Sequence, residues 1–561
     1  MEHNLLIRNI LRVYLPIVML MSFTSTIATF INKFLAAIWL TGEDVVLITV
    51  PTILTLYISV TGSMVATGSS IIFSRYLAKG EREKAVNSYS IAVYTALAIG
   101  TIFLVICLLY AWALRQNIEI ESDLVSADYI AALGVSAIPL LILLVMIMFL
   151  RMDGDKYLAL GCFVVYVVVD IAVVWITVQN GLGAFGVGIA VAVGSAAALI
   201  LPIFHRRIKD RNMVLRKPFD LWKGMVRISK IGLRSILNRV CMTVRYYFLY
   251  DFLAISSLGI KASYIAQNAV LHFVIAVFMG AAIMSSILSG TLYADGDRKS
   301  VCDSIREASY YSMGIAVLVA AAVLIFSEDI TNLLVLEEAN RESGLWCLRW
   351  FALSIPTTTL CMILIYAYQA TKRKIMASVL VVVRGVILLA LAVLALAPFL
   401  GESAVWTCFI LADLCMLVLV VATSWIHNRR FPRDINDLLM LHGKKFDNPS
   451  VFEGSIHNDR NELKGLLVKL ERVLSENSID EDTARDALGR IDKAVGKIID
   501  NGYSDSKIHQ IDVHIRKDNG LNIVIRDDSE MRADASDGLR HANFLDMNIS
   551  YIDIPEPDRT A

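Results

Sequence analysis

Ile138–Leu160, IPLLILLVMIMFLRMDGDKYLAL, is an apolar stretch with a proline at its start and a charged turn near its end. The same pattern returns at Ile355–Ala377, IPTTTLCMILIYAYQATKRKIMA. A second pair of similar segments lies upstream of these two, Ser74–Ala85 (SRYLAKGEREKA) and Ser289–Val301 (SGTLYADGDRKSV). Similar segments at nearly one offset indicate an internal duplication. The sequence therefore predicts two related halves.

The composition is typical of a membrane protein. Hydrophobic residues make up 56% of the 561 residues and charged residues only 19%, which is too apolar for a soluble enzyme of this length. Apolar windows long enough to cross a bilayer fall at 14–40, 46–73, 88–114, 127–150, 157–179, 184–204, 229–255, 262–292, 309–327, 347–370, 375–398 and 403–426. We therefore expect an all-α polytopic membrane protein with about twelve transmembrane helices in two six-helix lobes, residues 1–210 and 211–430.

The connections between these windows alternate in charge. HRRIKD at His205–Asp210 and KRK at Lys372–Lys374 are basic, whereas TGED at Thr41–Asp44 and EIES at Glu119–Ser122 are acidic. Basic connections stay on the cytoplasmic side of a membrane. We therefore expect a multi-pass protein of a bacterial inner membrane, with both termini and the connection between the lobes in the cytoplasm.

The composition changes near Phe431, and residues 431–561 are predicted to form a small cytoplasmic α+β domain. Periodicity and alternation predict helices and strands at Arg460–Asn477, Asp480–Asp500, His509–Arg516, Leu521–Asp528 and Asn548–Ile554. A DNG turn at Asp518–Gly520 joins the first two strands. We expect this domain to be regulatory, with residues 446–561 as the surface for a cytoplasmic protein regulator.

Several stretches of residues 8–426 resemble the multidrug and toxic compound extrusion (MATE) family. They are Leu11–Pro16 (LRVYLP), Gly68–Ala85 (GSSIIFSRYLAKGEREKA), Phe149–Lys156 (FLRMDGDK), Asp170 and Gly181–Gly194 (GLGAFGVGIAVAVG). The resemblance implies two pseudo-symmetric lobes around a central cavity, and multidrug efflux by antiport with protons or sodium ions. Substrate sites of such repeat transporters lie near the midplane. A transporter of this kind is not an enzyme and needs no cofactor besides its coupling ion.

The tail resembles the histidine-kinase-like ATPase fold of anti-sigma-factor kinases at DKAVGKIIDNGY, Asp492–Tyr503. In the two registers that align there, Lys497 or Gly496 occupies the position of the magnesium-binding asparagine. The nucleotide motif D-x-G is written DDS at Asp527–Ser529, without its glycine. The resemblance therefore implies a relative that has lost catalysis.

Ionisable groups inside a membrane cost roughly 2.5–3.5 kcal/mol each on insertion scales, which makes them functional candidates. Asp170 matches an acidic position of the family and is the first candidate for ion coupling. The alternative is that Asp170 is a buried partner that fixes helix packing. Asp251 and Asp413 are further candidates, unless they lie close enough to a helix end to reach water. Because Asn32 stands where many family members have a carboxylate, we expect coupling to depend on Asp170.

Basic groups outnumber acidic ones among the ionisable residues of the predicted helices. The candidates for substrate binding are Lys33, Arg239, Arg245, His272 and Tyr246. A cavity lined by these residues would attract an anionic or zwitterionic ligand. The alternatives are arginines that snorkel to the interfaces, a core histidine and a tyrosine that anchors a helix end.

We expect a MATE-like secondary transporter with ion coupling in its first half and recognition of substrate charge in its second. Two other functions fit the same sequence. The intramembrane arginines would also suit a flippase for a lipid-linked or anionic amphiphile, and the tail would suit a membrane-anchored signalling protein. The scattered cysteines are expected to be small core residues rather than metal ligands or disulfides, and no nucleic-acid motif is present.

Overall fold

The computed structural model describes residues 6–20, 52–77, 81–116, 121–202, 213–252, 258–334, 341–441, 450–477, 479–503, 508–518, 520–529, 540–544 and 547–555. Most of these residues are helical. The helices of the first half are α1 (6–20), α2 (Thr52–Leu77), α3 (Arg82–Gln116), α4 (Glu121–Met152), α5 (Lys156–Gln179) and α6 (Gly183–Ala198). Those of the second half are α7 (Leu221–Phe252), α8 (Leu258–Asp295), α9 (Arg298–Ile325), α10 (Ser327–Leu334), α11 (Arg341–Ala370), α12 (Lys374–Leu400), α13 (Ala404–Asn428) and α14 (Ile435–Leu439).

Seven helices in the described ranges are long and apolar enough to cross a membrane. They expose large apolar side chains such as Trp112, Phe399 and Ile426, as expected where a helix faces lipid. The protein is therefore a multi-pass membrane protein. The predicted count of about twelve spans is confirmed in part, since each predicted window after the first overlaps a helix. Most of the first window, from residue 21 on, lies outside the described residues.

The membrane helices pack in two groups. In the first half α4 contacts α2, α3 and α6, and in the second half α11 contacts α8, α9 and α13. The helices α4 and α11 are the two members of the internal repeat, so the repeated stretch occupies the centre of each group. The two groups meet where α2 packs against α7.

The prolines of the repeat lie inside their helices and do not begin them. Pro139 lies well inside α4, and Pro356 lies near the middle of α11. Each proline lacks the N–H that would bond the carbonyl of the preceding turn, which weakens the helix at that point. Both helices do end at the predicted charged turns, where Gly154 and Lys372 adopt positive φ angles of 90° and 62°.

Two close backbone approaches hold α2 to α7 and α1 to α8. A Cβ atom added to Gly68 would lie 2.4 Å from the carbonyl oxygen of Ile228, and one added to Gly232 would lie 2.1 Å from that of Met64. Likewise, a Cβ atom on Gly280 of α8 would lie 3.0 Å from the Cα atom of Met19 in α1. Only glycine allows backbones to come this close.

The C-terminal domain is a five-stranded antiparallel sheet with two helices. Its strands are β1 (Ser450–His457), β2 (Gln510–Asp518), β3 (Gly520–Asp527), β4 (Arg540–Phe544) and β5 (Met547–Pro555), in the order β1-β2-β3-β5-β4. Its helices are α15 (Arg460–Glu476) and α16 (Glu481–Asn501). The predicted helices, the Asp518–Gly520 hairpin and the third strand are confirmed, whereas β1 and β4 were not predicted.

The sheet is buried on both faces. Ile511, Val513 and Ile515 of β2 point toward α15 and α16 and belong to the core of the C-terminal domain. The opposite face carries Gln510, Asp512 and His514, which are also buried. Apolar residues on that second face of β3 and β5 share one packed cluster with the membrane helices: Val524, Met547, Ile549 and Tyr551. The domain thus packs on one end of the membrane part, which we call the domain side.

Candidate functional site

A buried ion pair joins α12 to α13 in the second half of the chain. The Nε atom of Arg384 donates a hydrogen bond to the Oδ1 atom of Asp413 at 2.5 Å. The exposed fraction of Arg384 is 9% and that of Asp413 is 2%. Removing one member of such a pair would leave an uncompensated buried charge, at a cost of about 3–5 kcal/mol.

Two threonines of α11 complete this pair. The Thr358 hydroxyl donates to the second carboxylate oxygen of Asp413 at 2.5 Å and accepts a hydrogen bond from Nη2 of Arg384 at 3.2 Å. The Thr357 hydroxyl lies 3.3 Å from the same oxygen of Asp413. Because both oxygens of Asp413 are engaged, the three helices α11, α12 and α13 are held together at one point.

The backbone is irregular on two of the helices that supply this cluster. Arg384 lies in a π-helical turn, Val383–Ile387, inside α12. Thr357 and Thr358 directly follow Pro356, which interrupts the hydrogen bonding of α11. Single π-helical turns inside α-helices are frequently found at functional sites. The cluster therefore lies at irregular points of two helices.

Arg245 of α7 brings a second positive charge to the same place. Its guanidinium lies 5.2 Å from the centre of the Phe409 ring, in a cation–π contact. Phe409 is one helical turn from Asp413 on α13. Arg245 and Arg384 both line one cavity of about 30 Å³, together with Leu271, Phe278, Met279, Phe351, Ser354, Ile355, Thr358, Met362 and Phe409. A cavity of this volume has room for little more than one water molecule, so the site is closed in this conformation.

Three charged side chains lie at or beside this cavity. Arg245 and Arg384 contribute two positive charges, and Asp413 contributes one negative charge through its pair with Arg384. Among the described lining residues no other side chain is ionisable.

Asp170, the predicted coupling residue, lies in the first half of the chain and is fully buried on α5. It faces α6, because a Cβ atom on Gly194 would lie 3.1 Å from the Cβ atom of Asp170. The two candidate sites thus lie in different helix groups. This separation fits the prediction that ion coupling and substrate recognition divide between the two halves, and the roles themselves stay predictions.

The side chains of the other predicted site residues are not described by the structure. Arg239, Tyr246 and Asp251 lie on α7 and His272 lies on α8, but their side chains are outside the described part of the structure. Asn32 and Lys33 lie in residues 21–51, which are also outside it. Of the predicted substrate residues, the structure thus places the Arg245 side chain in a site.

Arg384 and Asp413 fall inside two neighbouring predicted membrane windows, 375–398 and 403–426, but were not predicted to form a pair. Their opposite charges on neighbouring predicted helices were a usable signal, since charges at membrane depth pair with one another. The repeated threonines after Pro356 were a second signal. Without the fold, nothing indicated that α11 would bring these threonines to the ion pair.

Two residues of the tail segments that resemble a nucleotide site, Gly496 and Asp527, contact protein side chains. A Cβ atom on Gly496 would lie 2.6 Å from Nη1 of Arg460, whose guanidinium also pairs with Asp500. Asp527 accepts a hydrogen bond from Asn548 at 3.1 Å. The resemblance of the tail to histidine-kinase-like ATPases stays a prediction.

The membrane part is similar to known transporters. A model of the MatE family matches residues 236–394. No curated protein matches the chain. Among solved structures, an outward-facing multidrug resistance MATE family transporter of the MOP superfamily is 16% identical, with a TM-score of 0.69 over 78% of this chain and 97% of the other.

Two further structures have the same fold. A mutant of the Vibrio cholerae MATE transporter VcmN is 15% identical, with a TM-score of 0.66 over 77% of this chain and 98% of that one. A MOP superfamily transporter from Pyrococcus furiosus, for which a reverse polarity of the binding pocket is described, is 16% identical with a TM-score of 0.64 over 74% and 95% of the two chains. The chain therefore has the MATE transporter fold, and its resemblance to the MATE family is confirmed.

Proposed function

We propose that the protein is a secondary transporter that exports a small anionic or zwitterionic molecule in exchange for protons or sodium ions. The observation that carries this proposal is the cavity of the second helix group, which Arg245 and Arg384 both line. When the cavity opens, an anionic group of the substrate would replace Asp413 as the partner of the Arg384 guanidinium. The reverse polarity described for the pocket of the Pyrococcus furiosus transporter supports the idea that this fold can carry such a site.

Ion coupling is proposed for Asp170. Its full burial against α6 means that its charge is costly unless a proton or a cation neutralises it. Binding of a proton or a sodium ion lowers the cost of burying such a carboxylate. Ion binding can therefore be coupled to the change of access. Asp251 remains the second candidate for this role.

Inverted membrane vesicles test the antiport mechanism. We expect uptake of the anionic dye fluorescein when a proton or sodium gradient is imposed, and loss of uptake when both gradients are collapsed. Vesicles that contain Asp170→Asn protein should behave like wild-type vesicles without a gradient. Uptake that persists after both gradients have been collapsed would exclude antiport.

A flippase for an anionic amphiphile is the second candidate, and the same two arginines favour it. Proteoliposomes with fluorescently labelled phosphatidylglycerol distinguish the two functions. A flippase would move the labelled lipid between leaflets faster than the Arg384→Gln protein does, whereas a transporter of soluble substrates would leave lipid movement at the rate of protein-free liposomes.

The C-terminal domain is proposed to regulate transport by linking the two helix groups on the domain side. The amide of Leu6 in α1 donates to the side-chain oxygen of Gln510 in β2 at 2.9 Å. On the other helix group, Arg526 of β3 donates to Asp297 at the start of α9 at 2.6 Å. Since alternating access requires the groups to separate on one side, a sheet bound to both would oppose opening on the domain side.

The ion pair between Arg526 and Asp297 is buried. Asp297 is fully buried, caps α9 through the amide of Ser300 at 2.9 Å, and lies 3.4 Å from Nε2 of His514. Burial by itself raises the pKa of Asp297, but the adjacent His514 imidazole, the charge of Arg526 and the Ser300 hydrogen bonds outweigh it and hold that pKa well below its usual value. Asp297 is thus an anion that the tail neutralises.

Removing residues 446–561 tests this regulatory role. We expect the truncated protein to open more readily on the domain side and therefore to transport at an altered rate under the same gradient. Unchanged transport together with altered gene expression would favour the signalling function instead, with a cytoplasmic protein regulator bound to the tail.

A further inference from the structure

A second cavity, of about 620 Å³, opens on the domain side where the two helix groups meet. We call it the basic cleft. Its lining combines basic and apolar side chains: Arg75, Trp222, Lys223, Val226, Arg227, Lys230, Ile231 and Lys374. Its volume lies within the range of small-molecule sites, roughly 300–1,000 Å³. It is separate from the small cavity beside Arg384, since the two share no lining residue.

The cleft concentrates positive charge. Five of its lining residues are lysine or arginine, and none of its described lining residues is acidic. Lys223 has Asp220 at a distance of 4.0 Å, with both side chains largely exposed. Arg227 donates to the Tyr76 hydroxyl at 2.8 Å and lies 5.7 Å from the centre of the Tyr76 ring, and neither contact neutralises its charge. Like charges gathered in one concave site raise the local concentration of anions.

The charges come from both helix groups. Arg75 lies in the last turn of α2, Lys223, Arg227 and Lys230 lie in the first turns of α7, and Lys374 begins α12. The close approach of Gly68 to α7 lies two turns from Arg75 along α2. An anion bound in the cleft would therefore touch both sides of the junction that closes the domain side.

The surroundings of the cleft fit an amphiphile. Trp222 is 76% exposed, and Ile375, which follows Lys374, is 82% exposed. Tryptophan and long basic side chains gather at the level of lipid headgroups, where apolar atoms meet the acyl chains and charges meet phosphates. Each basic residue near an anionic membrane surface adds about 1 kcal/mol of attraction.

We propose that the basic cleft binds a phosphate-bearing anion, most favourably the headgroup of an anionic lipid, and that the bound phosphate holds α2 against α7 and α12. The ligand would act as an ionic link between the helix groups. The proposal does not depend on what the protein transports, because it rests on the lining of a separate cavity.

Binding to the purified full-length protein in a neutral detergent tests the proposal. The probes are dioctanoyl phosphatidylglycerol, dioctanoyl phosphatidylcholine, which has the same chains but no net charge, and glycerol 3-phosphate. Native mass spectrometry would count bound lipid, and competition by glycerol 3-phosphate would show whether the phosphate group alone is sufficient.

We expect phosphatidylglycerol to bind more tightly than phosphatidylcholine, and the affinity to fall when the salt concentration is raised. The double variant Arg227→Gln with Lys230→Gln should weaken binding by about tenfold or more, given about 1 kcal/mol for each charge lost. The matched control is Arg216→Gln with Lys217→Gln, since both residues are exposed in the connection that precedes α7 but do not line the cleft. The control should bind like the wild type.

Competition by glycerol 3-phosphate would support a soluble organophosphate as the occupant, and its absence would support a membrane lipid. Equal binding of the two lipids would overturn the proposal. The proposal would also be overturned if the double variant melted at the wild-type temperature and bound phosphatidylglycerol as tightly as the control does.

Discussion

Arg526 of β3 and Asp297 at the start of α9 form an ion pair with 2.6 Å between Nη1 and Oδ2, and both side chains are shielded from solvent. The two residues lie 229 positions apart in the sequence. Asp297 belongs to the membrane part and Arg526 to the C-terminal domain, so the pair fixes how the domain is docked.

Arg526→Met should weaken docking. The substitution leaves Asp297 buried without its cation, which costs about 3–5 kcal/mol in such sites, and undocking relieves this cost. Hydrogen exchange at residues 6–12 and 295–301 should become faster than in wild type. Lys517→Met on the exposed part of β2 is the control, and equal exchange in the two variants would contradict the docking role of the pair.

Docking should also weaken on acidification. Burial, reinforced by the positive charges of Arg526, Arg516 and Lys299 and opposed by Asp297, lowers the pKa of His514 to about 4 from 6.5. Glu453 also lies close to His514. In an undocked domain His514 is exposed and binds a proton at a higher pH than in the docked domain. Docking therefore becomes less favourable as the pH drops from about 6.5 to about 4.

Hydrogen exchange at pH 7.5 and pH 5.5, corrected for the intrinsic exchange rates, measures this effect. Wild-type protein should lose protection of residues 295–301 at the lower pH, and His514→Gln should lose much less of it. The same loss in both proteins would mean that another group is responsible.

Arg384→Gln should reduce the affinity for an anionic substrate by about tenfold or more, because a hydrogen bond to a charged group contributes about 1.5–3 kcal/mol. Arg384→Lys keeps the charge but lacks the planar guanidinium whose separate nitrogens bond Asp413 and Thr358, so it should recover only part of the affinity. Arg349→Gln on α11 is the control, since Arg349 pairs with the exposed Glu328. Concentration dependence of uptake into vesicles would measure all three, and an Arg384→Gln protein with wild-type affinity would place the substrate elsewhere.

Gly232→Ala should favour opening on the domain side. Its new methyl group would lie 2.1 Å from the Met64 carbonyl oxygen, and relief of the clash moves α7 away from α2. Spin labels on Lys84→Cys and Ile375→Cys, at exposed positions on the two helix groups, should report longer distances. Gly314→Ala is the control because its methyl group would meet nothing within 4 Å; identical distances in both proteins would refute the role of the glycine contact.

The membrane architecture could be predicted from the sequence because lipid imposes a simple rule. A spanning helix must be apolar and about 20 residues long, and the duplicated stretch identified α4 and α11 as equivalent helices. The prolines did not indicate where these helices begin, because a helix supported by its neighbours tolerates Pro139 or Pro356 in its interior.

The docked face of the sheet could not be predicted. Alternation such as that in His509–Arg516 is typical of a strand with one apolar face and one face toward water, yet Gln510 and His514 are buried against the membrane part. Polar residues that pair across a domain interface look like solvent-facing residues in a sequence. The strand β1 was missed for a related reason, because SVFEGSIH has little apolar alternation and is held mainly by its pairing with β2.

The cavity beside Arg384 is proposed to select substrates by their negative charge. Gradient-driven uptake of fluorescein, an organic anion, and ethidium, an organic cation, into matched inverted vesicles measures this selection most directly. We predict that wild-type protein takes up fluorescein in preference to ethidium, and that Arg384→Gln reduces the uptake of fluorescein alone. Preferential uptake of ethidium, unaffected by Arg384→Gln, would contradict the claim.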